Sequence, residues 1–251
     1  MSGKAFFIDT TVCTACRGCQ IACKQWNQLP ATKTHQWGSM QNPEDLSFDT
    51  YKVVRFEEHM GPNNKPVWYF FPDQCRHCLE PPCKEAADDE APGGIIIDSQ
   101  TGAVLYTDKL KKMNAADVIE ACPFNIPRAQ KGTGYLSKCT MCVDRVHNGL
   151  LPACVKTCPT GAMNFGDRDK MVDLAQKRLA EAKKKFPKAT LTGVDDLRVF
   201  YLLADEPGKY HTFAKVDALP TAMDRKMALR KIGRSLKELS SEWTMIHKLA
   251  S

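Results

Sequence analysis

The chain has 251 residues, of which 43% are hydrophobic and 25% charged, so it is long enough for one large domain or two small ones with a real core. No apolar run approaches the ~18 residues of a membrane span, so no transmembrane segment is predicted. The formal net charge of +6 counts all twelve cysteines as neutral, and metal-bound thiolates would cancel it, so no nucleic-acid partner is predicted.

The first cysteine run lies near the N-terminus and reads C-x2-C-x2-C-x3-C, from Cys13 to Cys23. The apolar segment Ala5–Asp9 before it predicts a strand, and Gln20–Gln25 predicts a short helix. Three cysteines at every third position can hold one iron–sulfur cube within a tight loop, while the fourth is carried past that cube. In bacterial ferredoxins the last cysteine of such a run ligates the other cluster of a pair.

A loop and a hairpin follow the first run. Residues 26–50 show no clear periodicity and predict a long, partner-facing surface loop, because loops of this length are usually functional. Segments Tyr51–His59 and Val67–Phe71 are rich in Val, Phe, Trp and Tyr and flank a Gly-Pro-Asn-Asn turn signal. This pattern predicts a β-hairpin.

The second and third cysteine runs are incomplete. Cys75, Cys78 and Cys83 supply three ligands, but the ferredoxin position for a fourth is Ala87. Residues 94–106 predict a small hairpin, of the kind that separates two cysteine runs in ferredoxins. The run that should end at Cys122 has no cysteine at its three earlier ligand positions, which are Lys112, Ala115 and Val118. Segment Lys109–Glu120 predicts a helix instead, so this half is predicted to keep one cluster and to have lost another.

The last run is stretched by an inserted turn at 148–152 and has the Cys-Pro-Thr-Gly-Ala ending typical of ferredoxins. Pairing the first run with the last, and the second with the third, uses all twelve cysteines in groups of four. Three [4Fe–4S] clusters are therefore predicted. Their ligands are Cys13, Cys16, Cys19 and Cys158 at site 1, Cys23, Cys139, Cys142 and Cys154 at site 2, and Cys75, Cys78, Cys83 and Cys122 at site 3.

The predicted fold class is α+β, with two bacterial-ferredoxin-like units, short β-hairpins and a helical C-terminal extension. Within that extension, the periodicity predicts a helix at Asp169–Phe186, a strand at Leu197–Ala204 and a long amphipathic helix at Thr221–Leu249. The predicted parts are residues 1–25 with 129–168 for the two-cluster unit, 51–128 for the one-cluster unit, 26–50 for the loop and 169–251 for the extension.

Zinc is the alternative metal, because twelve cysteines also make three sites of four thiolates, and the chain would then be a zinc-binding interaction module. Zinc sites normally bring two cysteine pairs together, whereas the first run has three cysteines at successive three-residue steps, so iron–sulfur clusters are favoured. No catalytic residue is predicted, because the sequence shows no paired carboxylates, nucleophile–base pair or phosphate loop.

Several non-cysteine residues lie beside the predicted ligands. His77 is interpreted as a surface loop residue, with tuning of the cluster as the alternative. Four basic residues are interpreted either as charges that raise a cluster's potential or as exposed side chains of small effect: Arg17, Lys24, Lys84 and Lys138.

The paired runs resemble the iron–sulfur subunits of molybdopterin oxidoreductases over residues 1–165. Three segments, together with the loss of the third run, make the chain most similar to the small subunit of soluble tungsten- or molybdenum-containing formate dehydrogenases of sulfate-reducing bacteria. The segments are Asp9–Trp26, Phe71–Cys78 and Cys158–Arg168. The resemblance implies a heterodimer whose large subunit binds the pterin metal and interconverts formate and carbon dioxide. This chain would then pass electrons through its clusters to an external carrier of the cytochrome c type.

The resemblance also implies a periplasmic location, since such small subunits cross the membrane with the signal of the large subunit. Met1–Asp9 shows no signal peptide of its own, which leaves the cytoplasm as the alternative. The alternative partners are the catalytic subunit of another molybdopterin oxidoreductase or of a hydrogenase.

Overall fold

The computed structural model describes residues 3–61 and 64–216, which form ten strands and six α-helices in that part of the chain. The strands are β1 Lys4–Asp9, β2 Val53–Met60, β3 Pro66–Asp73, β4 Ile95–Ile97, β5 Val104–Tyr106, β6 Arg128–Ala129, β7 Leu136–Ser137, β8 Met163–Asp167, β9 Thr190–Thr192 and β10 Val199–Leu203. The helices are α1 Gly18–Trp26, α2 Pro82–Asp88, α3 Ala115–Ala121, α4 Val143–His147, α5 Ala153–Lys156 and α6 Arg168–Lys185. This mixture confirms the predicted α+β class.

A four-stranded sheet with the order β8-β1-β10-β9 organises the fold. Strand β1 is antiparallel to β8 and parallel to β10, and β9 pairs antiparallel with β10. The antiparallel pairs β2–β3 and β4–β5 confirm both predicted hairpins. Residues 62 and 63, in the middle of the first predicted turn, lie outside the described residues.

The two faces of the sheet bury different partners, because successive side chains of a strand point to opposite faces. Phe6 and Ile8 of β1 lie in a core cluster with Cys19 and Cys154. On the other face, Ala5, Phe7, Phe200 and Leu202 pack with the apolar side of α6. One face of the sheet therefore supports the cysteine loops, and helix α6 covers the other.

A second apolar cluster lies between α2, α3 and the β4–β5 hairpin. Ala87 and Val118 are both fully buried in it, together with Ile95 and Val104. These two residues occupy ligand positions of the cluster that the sequence predicts to be lost. Ordinary side-chain packing therefore fills this region in the structure.

The predicted helix Lys109–Glu120 is wrong as a single element. The structure has a 3₁₀ turn at Asp108–Lys112 and then α3. Asn114 separates the two and caps α3, since its side-chain oxygen accepts a hydrogen bond from the Ala116 amide at 3.2 Å. Asparagine favours this N-cap position over a helix interior, which explains the break.

The prediction of a helical extension over 169–251 is also wrong within the described residues. Helix α6 and strand β10 confirm two of its elements. Strand β10, however, lies inside the central sheet. All five of its side chains are buried, which requires cover on both faces of the sheet. The described residues form one compact unit, so the division into two ferredoxin-like units stays a prediction. The predicted helix Thr221–Leu249 lies outside the described residues.

Candidate functional site

The pairing of β1 with β8 brings the first and last cysteine runs together. Strand β1 leads into the first run and β8 follows the last, and their register places Ile8 opposite Met163. Phe6 and Phe165 lie across the same pair with ring centroids 4.8 Å apart. Runs that are far apart in sequence are thus held side by side by hydrogen bonds and aromatic packing.

Two cavities are each lined by four cysteines, and the two sets are those predicted for sites 1 and 3. Each has a cavity volume of about 20 Å³. Each combines three cysteines of one run with a single cysteine from a distant run. The lining cysteines are Cys13, Cys16, Cys19 and Cys158 in the first cavity and Cys75, Cys78, Cys83 and Cys122 in the second.

The four cysteines of site 2 also lie close to one another. Cys23 is on α1 and Cys154 is on α5, and both are buried. Burial raises the pKa of Cys23 well above its ordinary value, and the charges of Cys139, Cys154 and Cys142 raise it further. The last cysteine of the first run therefore faces the cysteines of the last run.

A repeated backbone conformation shapes three of the cysteine runs. The residue two positions after the first cysteine is left-handed in each: Ala15 has a φ of 52°, His77 of 45° and Met141 of 62°. The amides of His77 and Met141 donate to Cys75 Sγ and Cys139 Sγ, both at 3.4 Å. Such hydrogen bonds stabilise a thiolate. No glycine marks these positions, so the sequence did not reveal them.

The buried thiols resist ionisation by themselves. Burial raises the pKa of Cys13 to about 11, and it raises the pKa values of Cys122 and Cys139 to about 12. At Cys158 burial acts in the same direction, but hydrogen bonds from Met163 and Thr160 outweigh it and lower the pKa. Thiols of this kind become thiolates only beside a strongly cationic centre, so the donor set fits a metal centre such as an iron–sulfur cluster.

The spacing of the thiols favours a multi-atom group over a single ion. Zinc holds sulfur at about 2.3 Å, which requires four thiolates to converge on one point. At sites 1 and 3, four cysteines instead line the wall of a cavity. Across residues 3–61 and 64–216, no group of three or more His, Cys, Asp or Glu side chains is placed to hold one ion.

The interpretation of His77 as a surface residue is wrong. Its side chain is fully buried, and Nδ1 accepts a hydrogen bond from the Val104 amide at 3.0 Å. Burial lowers its pKa well below the ordinary value, so the imidazole is neutral. His77 thus joins the second cysteine run to strand β5, and no sequence pattern distinguished that role from exposure.

The four basic residues beside the ligands have different environments. Lys24 donates to the Asp49 carbonyl at 2.7 Å and the Thr32 hydroxyl at 2.9 Å, so it anchors the 26–50 loop. Arg17 donates to a carbonyl of the same loop, and Lys84 pairs with an acidic residue of α2. Lys138 alone is buried, and its ammonium lies 4.6 Å from the centre of the Tyr106 ring.

Three buried polar residues near the sites were missed in the sequence: Lys52, Gln74 and Arg76. Their side chains are at most 2% exposed. Lys52 and Gln74 lie at the base of the β2–β3 hairpin, and Arg76 lies within the second cysteine run. The only sequence signal at Lys52 was its position directly before an apolar strand segment. A lysine is usually exposed, so this position did not indicate burial.

Comparisons with known proteins agree with this geometry. The family described as "4Fe-4S dicluster domain" matches residues 66–168. The chain is 56% identical over 214 residues to "Formate dehydrogenase 2 subunit beta (cytochrome c-553)" of Nitratidesulfovibrio vulgaris, covering 84% of this chain and 98% of that protein. It is 52% identical over 212 residues to "Formate dehydrogenase subunit beta" of Megalodesulfovibrio gigas, with the same two coverages.

A more distant relative is the "Formate dehydrogenase-O iron-sulfur subunit" of Escherichia coli, which is 41% identical over 213 residues, or 82% of this chain and 69% of that protein. No helix in residues 3–61 and 64–216 has the length and apolar character needed to cross a bilayer. The cysteine cavities and these similarities lead to one family. The chain belongs to the iron–sulfur (beta) subunits of formate dehydrogenases, which bind [4Fe–4S] clusters and transfer electrons without a catalytic site of their own.

Proposed function

We propose that this chain carries electrons through three [4Fe–4S] clusters, between a molybdopterin-containing catalytic subunit that interconverts formate and carbon dioxide and an external acceptor of the cytochrome c type. The observation that carries the proposal is the presence of two separate cavities, each lined by four cysteines drawn from two distant runs. When bound, a cluster of this kind accepts and releases one electron at a time.

The proposed ligands are the three cysteine sets of sites 1, 2 and 3. Eleven of the twelve cysteines are buried or half-buried, Cys16 is exposed, and all twelve are free of disulfides. The protein's work is to hold these thiols apart, to exclude water and to donate amide hydrogen bonds to sulfur, which all affect the reduction potential. The apolar packing of Ala87 and Val118 supports three clusters over four.

The proposed partners follow from the relatives. The name of the N. vulgaris relative includes cytochrome c-553, which supports a c-type cytochrome as acceptor. A beta subunit implies a catalytic partner, and we assign the 26–50 loop to a partner interface because Trp37 and Met40 are exposed on it. We propose that this heterodimer contains tungsten or molybdenum and works in the periplasm, carried there with its large subunit.

The test uses the complete complex, purified without oxygen from cells that express this chain with its catalytic partner. Formate is expected to bleach the brown cluster absorbance, and oxidised cytochrome c is expected to restore it. In Cys122→Ser, which removes a site 3 ligand, cytochrome reduction should fall at least about tenfold, while reduction of a small dye at the catalytic subunit continues.

The matched control is Leu151→Ala, which changes a side chain that is 45% exposed and lines neither cysteine cavity. It should behave as the unaltered complex in both assays. Clusters that stay oxidised in formate while the dye is reduced would contradict the proposed electron path.

A further inference from the structure

The hydroxyl of Tyr106 is buried and forms no hydrogen bond with any residue that the structure describes. This residue is the last of strand β5, and it lines the site 3 cavity together with the four cysteines of that site. A phenol keeps its proton at neutral pH, so the hydroxyl is available as a hydrogen-bond donor. Buried tyrosine hydroxyls usually have a partner. The orphaned donor at this cavity therefore indicates a ligand that brings its own acceptor.

The two other polar side chains that line the cavity, apart from the cysteines, already have acceptors. Arg76 donates to Asp73 Oδ1 at 2.8 Å. Lys138 donates to the Cys139 carbonyl at 3.1 Å. Of the non-cysteine polar groups on the cavity wall, only the Tyr106 hydroxyl is left without an acceptor in the described part of the chain.

The ring of Tyr106 is held in place from several directions. Strand pairing places the residue opposite Ile95 of β4, and the ring packs against the apolar cluster between α2 and α3. The Lys138 ammonium lies 4.6 Å from the ring centre. The amide of the next residue, Thr107, donates to the Gly94 carbonyl at 2.9 Å. The hydroxyl is therefore a preorganised donor, which can act on an acceptor without reorientation of its surroundings.

The cavity of site 1 has no equivalent group. No tyrosine lines it among the described residues, and its non-cysteine polar side chains are Thr14, Arg17 and Thr160. Arg17 already donates to the Met40 carbonyl at 3.1 Å. An effect of the Tyr106 hydroxyl should consequently be specific for site 3.

The sulfur atoms of a [4Fe–4S] cluster accept hydrogen bonds, and these bonds influence its reduction potential. A cluster with four thiolates carries about −2 and becomes more negative on reduction, so a donor to sulfur favours the reduced state. We propose that the Tyr106 hydroxyl donates a hydrogen bond to a sulfur of the cluster held at site 3 and raises the reduction potential of that cluster. This inference rests on the proposed function.

The test is a redox titration of the complete complex with chemical mediators, followed by the electron paramagnetic resonance signals of the reduced clusters. Tyr106→Phe removes only the hydroxyl and keeps the ring. The matched control is Tyr135→Phe, because Tyr135 also has a lysine ammonium near its ring, at 4.5 Å, but is 38% exposed and lines neither cysteine cavity. Cys122→Ser identifies the site 3 signal by its loss.

In Tyr106→Phe, the site 3 signal is expected to need a lower potential for reduction. At a fixed potential, the ratio of reduced to oxidised cluster at site 3 should fall about fivefold, since only part of the energy of a hydrogen bond to a charged group differs between two charge states. The signals of sites 1 and 2 should keep their potentials, and Tyr135→Phe should leave all three sites unchanged.

A second readout is electron–nuclear double resonance of the site 3 signal before and after exchange into deuterated water. The unaltered complex and Tyr135→Phe should both show one exchangeable-proton coupling that Tyr106→Phe lacks. A tyrosine that only fills space would leave this spectrum unchanged when its ring is retained.

An unchanged site 3 potential in Tyr106→Phe, an equal shift at all three sites, or an unchanged set of exchangeable-proton couplings would overturn the role of Tyr106. Failure of the proposed function has a different signature, since it appears in the unaltered complex as fewer than about ten irons per chain. The mediated titration needs neither formate nor cytochrome, so it tests the hydroxyl independently of the electron path.

Discussion

Individual buried charges in this protein are compensated in two ways. Asp73 is fully buried and accepts hydrogen bonds from Arg55 at 2.8 and 2.9 Å and from Arg76 at 2.8 Å. Burial raises the pKa of Asp73, but Arg76 and Arg55 lower it more, so the carboxylate stays ionised. Lys52 has no such carboxylate among the described residues, and its Nζ donates to Gln74 Oε1 at 2.5 Å instead.

Removal of the Asp73 charge should therefore be strongly destabilising. Asp73→Asn leaves the buried Arg76 without its carboxylate and Arg55 with Asp45 alone. We therefore expect a loss of about 3–5 kcal/mol in the free energy of unfolding. Chemical denaturation of the complete chain with its clusters measures the loss. Asp167→Asn breaks an exposed pair with Lys4 and is the control. Equal midpoints for the two variants would contradict this assignment.

His211 should make stability depend on pH. Burial and the charge of Arg55 lower its pKa to about 4 in the folded protein, against about 6.5 in an unfolded chain. Between these values the unfolded chain binds the additional proton, so stability is complete above pH ~6.5 and falls as the pH decreases towards 4.

The expected measurement is the denaturation midpoint between pH 4 and 7. His211→Asn should reduce the slope in that interval, because asparagine does not titrate. Replacement of the exposed His35, at the surface of the 26–50 loop, is the control. An unaltered slope in His211→Asn would contradict burial of a neutral imidazole at this position.

At the residue scale, prediction was possible where chemistry fixed the spacing. The cysteine intervals could be interpreted because three ligands of one cube must come from one short loop. Lys52 and His77 could not be identified in this way, because their burial depends on contacts with distant strands. Ala15 and Met141 likewise carry their left-handed backbone without a glycine to indicate it.

The most consequential element of the fold is β10. Its sequence Val-Phe-Tyr-Leu-Leu is a continuous apolar run, which predicted a strand, and all five residues are buried. Its parallel pairing with β1 could not be predicted, because pairing between distant segments leaves no local pattern in the sequence. The same limit explains why the sheet was not foreseen, although two of its four strands, β1 and β10, were.

Strand β10 should be essential for the packing of α6. Phe200 is fully buried and stacks on Phe7 with ring centroids 6.0 Å apart. Phe200→Ala should therefore cost about 3–5 kcal/mol in the free energy of unfolding. Denaturation followed by circular dichroism measures this cost, with Leu150→Ala, a side chain that is 50% exposed, as the control. A loss no larger than that of the control would contradict the role of β10.

For the whole molecule, the central proposal is the exchange of cysteines between distant runs. The sheet holds the first run beside the last, and the hairpins and helices between them hold a third group of four cysteines. The sequence was sufficient to propose this exchange, because twelve cysteines divide into three sets without remainder. The arrangement of the intervening segments required the three-dimensional structure.

The most direct test is a crystallographic map of the complete complex, with anomalous data collected at the iron absorption edge. We predict three four-iron clusters in this chain, with Cys158 bound to the cluster of Cys13 and Cys23 bound to the cluster of Cys139. Four clusters in this chain, or Cys23 and Cys13 bound to the same cluster, would contradict the account.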